Sequence, residues 1–239
     1  MKFILENLIG IVSITILTLN TIILSCLLIP LGLIKFFLPI TNIKVLFTKF
    51  IINIGELWIF TNKIWVKALH KPNWEVIGKE NIKSNGWTIA TSNHQSFADI
   101  FLLQDITNMK MPMLKFFMKY VLIYVPVIGL SWWALDMPFL KRYTKKQLEK
   151  NPKLVGKDVK EMKRALKHYS LYPVTVFSFA EGTRFTVKKH QNQNSPFDNL
   201  LKPKEGGLAT ALSLVNKIDS LIDFTIKFDS QKRSFWDYL

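Results

Sequence analysis

The chain has 239 residues, a formal net charge of +15 and a mean hydropathy of +0.18. Its single cysteine excludes an intrachain disulfide framework and agrees with a reducing compartment. The positive charge suits either a nucleic acid or an anionic lipid surface as partner, and charge alone does not choose between them.

The first element is an uncharged apolar segment. Residues 8–34 form a run of 27 residues without a charge, and a helix of ~20 residues is enough to span a bilayer core. We therefore predict that residues 1–40 form a transmembrane anchor, with Pro30 and Gly32 kinking or ending its helix. A cleaved signal peptide is the alternative, but its apolar region would be only ~7–15 residues long and would precede a small-residue cleavage site.

The second element, residues 41–72, is apolar but carries Trp58, Trp65 and several lysines. Tryptophan and lysine are common at the headgroup level of a membrane, so we predict an interfacial helix here. A core helix of the following domain is the alternative.

The charges after the anchor predict its orientation. Lys35, Lys44 and Lys49 follow the apolar run, whereas Lys2 stands before it. By the positive-inside tendency, the chain is expected in the inner, cytoplasmic membrane, with the domain that follows facing the cytoplasm.

The rest of the chain, residues 73–239, is predicted to be one catalytic domain of the α/β class, with a mixed sheet flanked by helices. Segments typical of strands alternate in it with segments that show helical spacing of apolar residues. The predicted strands are Trp74–Ile77, Trp87–Thr91, Pro173–Phe179 and Leu221–Phe228, and the predicted helices are Ile100–Ile106, Lys157–Tyr169 and Glu205–Val215.

A basic block lies within this domain. Residues 141–167 contain eleven Lys or Arg and three Asp or Glu. No helix-turn-helix, zinc-finger or similar signature accompanies the block, so we expect no nucleic-acid partner. Beside an apolar anchor, membrane lipid is the better partner, and part of the block is expected to be a solvated helix face.

The first chemically distinctive run is Asn93–Asp99, directly after a predicted strand. A neutral histidine, His94, can take a proton from a hydroxyl, and the carboxylate of Asp99 can orient it. Residues five apart lie about 140° apart on a helix, so the two meet only if His94 precedes the helix and Asp99 lies in its first turn. Ser96 offers that boundary, because Ser-x-x-Asp resembles a capping box. The alternative is that Asp99 only caps the helix and His94 is a turn residue.

The second run is Phe179–Arg184, again after a predicted strand. Gly182 permits a close backbone approach, and exposed N–H groups in such a turn can hold an anion. Arg184 adds a planar fork of donors that matches phosphate oxygens. The alternative is a plain turn with a surface ion pair.

The two runs together resemble the glycerolipid acyltransferase family, which includes bacterial 1-acylglycerol-3-phosphate acyltransferases. The family's Asn-His-x-x-x-x-Asp block matches Asn93, His94 and Asp99, and its Phe-x-Glu-Gly-Thr-Arg block matches 179–184. Gly129 and the run 139–142 resemble its second block. The family's fourth block usually contains a proline, but residues 221–226 have none. In this respect, and in the run 201–207, the chain resembles the branch of lysocardiolipin and lysophospholipid acyltransferases.

The resemblance implies an enzyme that acylates a lysophospholipid, with acyl-CoA or acyl carrier protein as donor, in phospholipid biosynthesis or remodelling. His94 and Asp99 would be catalytic, without a metal or a cofactor. The acceptor would be bound by a set of polar and glycine residues: Asn93, Arg142, Glu181, Gly182, Thr183 and Arg184. The implied partners are the lysophospholipid, membrane phospholipids and the donor, while the oligomeric state is not specified. A non-catalytic lipid-binding module on the same scaffold and a membrane-tethered nucleic-acid binder are the alternatives.

Overall fold

The structure is a computed structural model, and it describes residues 2–70, 72, 74–82, 85–141, 143, 145–154, 156–214 and 217–228. The helices are α1 (Lys2–Phe37), α2 (Thr41–His70), α3 (Ala98–Thr107), α4 (Ile128–Ala134), α5 (Lys145–Lys150), α6 (Lys157–Leu166), α7 (Val187–Gln193) and α8 (Glu205–Leu214). The strands are β1 (Thr88–Ser92), β2 (Leu114–Phe116), β3 (Met118–Lys119), β4 (Phe139–Leu140), β5 (Thr175–Phe179) and β6 (Ser220–Phe224). Short 3₁₀ helices cover Lys79–Asn81, Tyr120–Tyr124, Pro152–Leu154 and Lys167–Ser170.

Four strands form the central sheet in the order β2-β5-β1-β6, and all described pairings are parallel. Ser92 at the end of β1 stands beside Phe179 of β5 and Phe224 of β6. These three carboxyl ends therefore lie at one edge of the sheet, where open α/β sheets bind their ligands.

The predicted α/β class is confirmed, and the described sheet is parallel where a mixed sheet was expected. Parallel neighbours require long crossover connections. The chain supplies them, because α4, α5 and α6 lie between the neighbours β2 and β5, and α3 to α8 lie between the neighbours β1 and β6.

The prediction of a strand at Trp74–Ile77 is wrong, since this segment has no strand and leads into the 3₁₀ helix Lys79–Asn81. Ile77 is largely exposed, so the segment lacks the sheet neighbour that its apolar residues suggested. The other predicted strands and helices are present. The last strand ends at Phe224 rather than Phe228, and the helix from Lys157 ends at Leu166, where a 3₁₀ helix follows. Val215, the predicted end of the last helix, lies outside the described residues.

Helices cover both faces of the sheet. On one face, α6 and α8 pack over a buried cluster that includes Val176, Leu166 and Ala211. On the other face, Leu103 of α3 packs with Phe177. Helices therefore pack against both faces of the central strands β1 and β5, whereas Leu221 of β6 is 58% exposed.

The helices α1 and α2 form an antiparallel pair. Ser13 Oγ lies 2.8 Å from His70 Nε2, and farther along α1 the amide of Asn20 donates to Asn62 Oδ1 at 2.8 Å. Rising numbers on α1 thus meet falling numbers on α2. Trp58 Nε1 continues this polar seam by donating to Thr21 Oγ1 at 3.2 Å.

Within the described residues, one helical segment, Ile4–Phe37, is long and apolar enough to cross a membrane. Its helix continues past Pro30, where a kink or an end was predicted. The last turns are held by tertiary contacts, because Gly32 lies against Ala134 of α4 and Lys35 Nζ donates to the carbonyl of Ala134 at 2.7 Å.

A buried polar cluster completes the junction between α1 and the sheet. Lys35 Nζ donates to both carboxylate oxygens of Asp136 at 2.8 Å, and the Tyr172 hydroxyl donates to Asp136 Oδ2 at 3.0 Å. Lys115 of β2 is fully buried and donates to the carbonyl of Leu135 at 2.6 Å. Burial lowers the pKa of Lys115 to about 8, while the nearby Asp136 opposes this shift.

Candidate active site

The two distinctive sequence runs meet at the carboxyl edge of the sheet. Asn93 follows β1 and Ala180 follows β5, and these strands are paired neighbours. The backbone N–H of Ala180 donates to the carbonyl of Ser92 at 3.1 Å, which extends the pairing by one step. Residues 88 positions apart are thereby brought into contact.

His94 and Asp99 form a hydrogen-bonded pair. His94 Nδ1 lies 2.8 Å from Asp99 Oδ2, and the Asp99 side chain is 0% exposed. An ionised carboxylate only accepts hydrogen bonds, so in a neutral His94 the hydrogen is on Nδ1. The lone pair is then on Nε2, which is the nitrogen that can meet a substrate hydroxyl.

Asp99 also organises the loop before α3. Its Oδ2 accepts hydrogen bonds from the backbone N–H groups of Gln95 at 2.6 Å and Ser96 at 2.9 Å. Ser96 Oγ accepts in turn from the backbone N–H of Ala98 at 3.2 Å. The predicted helix boundary between His94 and Asp99 is therefore present, and Asp99, in the first turn of α3, binds both the imidazole and the loop before the helix. The structure shows the contact between His94 and Asp99 that the dyad interpretation requires, and their catalytic roles stay predictions.

The ring of Phe179 packs against one face of the His94 imidazole. Its ring is stacked on that of His94, with centroids 3.8 Å apart and planes inclined by 10°. Because Asp99 fixes one nitrogen and Phe179 covers one face, the direction of Nε2 is set by two independent contacts.

Glu181 links the two runs through the backbone. Its Oε1 accepts from the backbone N–H of His94 at 2.8 Å, and its Oε2 accepts from the backbone N–H of Leu201 at 2.8 Å. The residue is 2% exposed. The resemblance assigned Glu181 to the acceptor, whereas the geometry gives both of its carboxylate oxygens backbone partners. A buried, doubly engaged anion positions His94 and is poorly suited to contact a phosphate.

A second backbone contact closes the same link. The N–H of Phe185 donates to the carbonyl of His94 at 2.7 Å. His94 is therefore held at both of its main-chain polar groups by the segment that follows β5.

The turn after β5 requires a glycine. Gly182 has φ of +66°, which side chains with a Cβ rarely adopt, and a Cβ there would lie 2.9 Å from Lys204 Cδ. The close approach brings the Lys204 side chain across the turn. Its ammonium nitrogen would lie 3.6 Å from the same Cβ position.

Arg184 and Lys189 bring positive charge to this turn. The guanidinium carbon of Arg184 lies 3.6 Å from the ring centroid of Phe97, so the planar group is stacked on an aromatic face. Lys189 Nζ donates to Thr183 Oγ1 at 2.8 Å and to the carbonyl of Arg184 at 2.9 Å. The turn thus combines a positioned guanidinium with a tethered ammonium, a combination suited to an anionic group.

Asn93 has a structural contact that the sequence did not indicate. Its amide donates to the carbonyl of Ile226 at 2.8 Å and its Oδ1 accepts from the N–H of Ile226 at 2.7 Å. The side chain thereby continues the β1–β6 pairing beyond the last strand residue.

Sequence reasoning assigned no role to Phe97, Lys189 or Lys204. Phe97 lies inside the first run, but only the fold brings it beneath Arg184. Arg142, predicted to bind the acceptor, lies outside the described residues.

Comparisons with known proteins found a family model, curated relatives and a solved structure that are similar to this chain. The family model described as Acyltransferase matches residues 73–226. The chain is 32% identical over 125 residues to the 1-acyl-sn-glycerol-3-phosphate acyltransferase delta of Bos taurus, and equally to that of Homo sapiens. Each match covers 48% of this chain and 30% of the relative, so the chain spans less than a third of these relatives' length.

A solved structure is also similar. It is the 1-acyl-sn-glycerophosphate (LPA) acyltransferase PlsC from Thermotoga maritima, which covers 96% of this chain and 90% of its own. The sequence identity is 18% and the TM-score is 0.49.

Proposed function

The chain belongs to the acyltransferase family, and from that premise we propose that it transfers a fatty acyl group from a thioester to the free hydroxyl of a lysophospholipid, such as 1-acylglycerol-3-phosphate. The observation that carries the proposal is the 2.8 Å contact between His94 Nδ1 and buried Asp99 at the carboxyl edge of the sheet. The acyl donor is a thioester of CoA or of acyl carrier protein. The named relatives support a phosphate-bearing acceptor.

In the proposed reaction, His94 is the general base. Its Nε2 takes the proton of the acceptor hydroxyl while the oxygen attacks the thioester carbonyl carbon. A C–O bond forms, the tetrahedral intermediate collapses and the C–S bond breaks. The imidazolium returns its proton to the leaving thiolate, so atoms and charges balance with the two substrates alone. Asp99 stabilises the imidazolium and keeps the hydrogen on Nδ1.

The acceptor's phosphate is proposed to bind at the turn that contains Gly182. Arg184 offers a planar fork of donors, and Lys189 and Lys204 add positive charge around the same turn. Glu181 takes part indirectly, by holding the backbone of His94. Because Glu181 and Phe185, on either side of this turn, contact the backbone of His94, a phosphate bound at the turn would lie near the base.

The protein is proposed to work at the cytoplasmic membrane with residues 1–40 as its anchor. The length and apolarity of the segment Ile4–Phe37 support the embedding. The lysines after it support a cytoplasmic position of the domain that contains His94.

A transfer assay tests the proposal. The purified full chain is incubated in mixed micelles with 1-acylglycerol-3-phosphate and either acyl-CoA or acyl carrier protein loaded with the same acyl group. Mass spectrometry follows the diacyl product, and free thiol is measured in parallel. Product that depends on His94 supports the enzyme and identifies the donor.

The alternative is a lipid-binding module without catalysis on the same scaffold. It predicts that lysophospholipid binds while neither donor yields product or free thiol, and that His94→Ala leaves binding unchanged. The buried Asp99 aligned on His94 favours the enzyme, because a lipid-binding turn alone does not require an oriented imidazole.

A further inference from the structure

An apolar surface on the catalytic domain lies directly beside the candidate membrane helix. It consists of large side chains in the 3₁₀ helix after β3, the loop after it and α4: Val121, Tyr124, Val125, Val127 and Leu130, called here the 121–130 patch. Val121 is 64% exposed, Tyr124 71% and Leu130 45%. Side chains of this size and exposure on neighbouring turns form a contact surface, whereas scattered apolar residues would not.

The patch and α1 are fixed at the same level. Ser131 Oγ of α4 donates to Ser25 Oγ of α1 at 2.7 Å, and this contact is buried. Farther along, the ring centroids of Trp133 and Phe36 lie 5.8 Å apart. Residues 25–36 of α1 cover about 16 Å at 1.5 Å per residue, which is roughly half of a ~30 Å hydrocarbon core. A bilayer that embeds this part of α1 also meets α4.

The backbone of the patch is suited to an apolar medium. Val125 N–H donates to the carbonyl of Leu122 at 3.2 Å, Gly129 N–H to Val125 at 3.0 Å and Ser131 N–H to Val127 at 3.1 Å. In lipid, an unsatisfied backbone group costs several kcal/mol, so irregular segments enter a membrane only when their polar groups have partners. These internal hydrogen bonds give partners to backbone groups of the patch, so its irregular segment is suited to an apolar medium.

Lysines stand beside the patch, at positions suited to headgroups. Lys119 precedes it, and Lys141 Nζ lies 4.3 Å above the ring centroid of Tyr120. Both lysines are exposed. An apolar surface with aromatic and cationic side chains at its border is typical of a protein segment at a membrane interface.

From these contacts we infer that the 121–130 patch inserts into one leaflet of the bilayer together with residues 25–36 of α1. The catalytic domain is then held by two attachments, the N-terminal helix and its own patch. The inference rests on the proposed function only in taking α1 to be embedded. It adds that the domain lies in contact with the lipid from which its acceptor comes.

Site-specific labelling of the full chain tests the inference. The one cysteine, Cys26, is replaced by serine, and a nitrobenzoxadiazole group is attached to Leu130→Cys in vesicles of phosphatidylcholine and phosphatidylglycerol. The matched control is Leu212→Cys, because Leu212 also lies on a helix and is 43% exposed. We expect shorter-wavelength emission and strong quenching by brominated lipid at position 130, with neither at position 212. Tyr124→Cys, labelled in the same way, should repeat the result at 130.

Two outcomes would overturn the inference. If the emission wavelength at positions 124 and 130 equals that at position 212 and brominated lipid does not quench it, the patch lies in water. Shorter-wavelength emission that rises with protein density but is not quenched by lipid would assign the patch to a second copy of the chain.

The functional consequence is separable from the proposed chemistry. Tyr124→Asp should lower turnover of an acceptor in vesicles and leave turnover of a short-chain, water-soluble acceptor unchanged. Equal turnover of the vesicle acceptor by the variant and the wild type would contradict a role for the patch. If neither acceptor is acylated by the wild type, the proposed function fails, while the quenching result still decides insertion.

Discussion

Replacing Glu181 by glutamine separates the two roles open to this carboxylate. The sequence resemblance assigned it to the acceptor, whereas its oxygens accept from the backbone N–H groups of His94 and Leu201, each at 2.8 Å. Glutamine has nearly the same shape but only one acceptor oxygen, and its NH₂ group would face a backbone donor. One of the two backbone N–H groups is then buried without a partner.

The magnitude follows from the bond that is lost. A hydrogen bond to a charged group contributes about 1.5–3 kcal/mol to stability. For a protein of this size, 1 kcal/mol corresponds to about 2–4 °C in Tm, so Glu181→Gln should lower Tm by several degrees. Because the imidazole of His94 also loses a restraint, we expect kcat to fall, by up to about 100-fold if the base moves by 1 Å. The acceptor KM should change little.

The measurement pairs thermal unfolding in detergent with saturation curves for acceptor and donor. Glu80→Gln is the matched control, because Glu80 is an exposed carboxylate on a short 3₁₀ helix before β1. It should leave Tm and kcat unchanged. An unaltered Tm in Glu181→Gln together with a raised acceptor KM would refute the positioning role and restore a direct contact with the acceptor.

Substitutions at four further residues test other parts of the site and its support. His94→Ala should lower acyl transfer about 10²–10⁴-fold in a folded protein with normal vesicle association, and Tm is measured beside activity because the ring also contacts Asp99 and Phe179; near-normal turnover in the folded variant would eliminate the mechanism. Arg184→Lys should raise the acceptor KM more than the donor KM, because lysine lacks the planar fork; the reverse order would reassign the turn to the donor. Phe97→Leu should raise the acceptor KM while Phe97→Tyr keeps it, because the ring stacks on the guanidinium; similar values for both would deny the ring a positioning role. The pKa of Lys115 is about 8 in the folded chain against 10.5 ordinarily, so between these values the unfolded chain binds more protons and this residue's contribution to stability rises with pH. Lys115→Met should flatten the rise of Tm over that interval, and an unchanged slope would contradict the lowered pKa.

Much of the fold could be predicted because local patterns decided it. The uncharged run 8–34 is long enough for one helix, and the apolar runs before Asn93 and Ala180 are buried strands, as their composition indicated. The segment Trp74–Ile77 was wrongly predicted to be a strand because its apolar composition is typical of one. A strand exists only where a neighbour accepts its hydrogen bonds, and no local pattern reports that neighbour.

The candidate site was predictable in part. The spacing of His94 and Asp99 required a helix boundary between them, and the fold supplies it. The role of Glu181 depends on the register that sets Ser92 beside Phe179, and this information is absent from either run alone. The stacking of Phe97 on Arg184 depends on the same register. The assigned roles of His94, Asp99 and the turn residues in catalysis and binding stay predictions.

Because of the strand register, His94 is attached to the segment that contains the Gly182 turn. The backbone N–H of His94 is bound by Glu181, its carbonyl by Phe185, and its ring rests on Phe179. All three partners belong to the end of β5 or the segment that follows it, which also carries Arg184. If the proposed acceptor phosphate displaced this segment, His94 would move with it, so the proposed binding and the proposed catalysis would be coupled. In a parallel sheet this coupling needs no additional element, since adjacent strands already deliver both segments to the same edge.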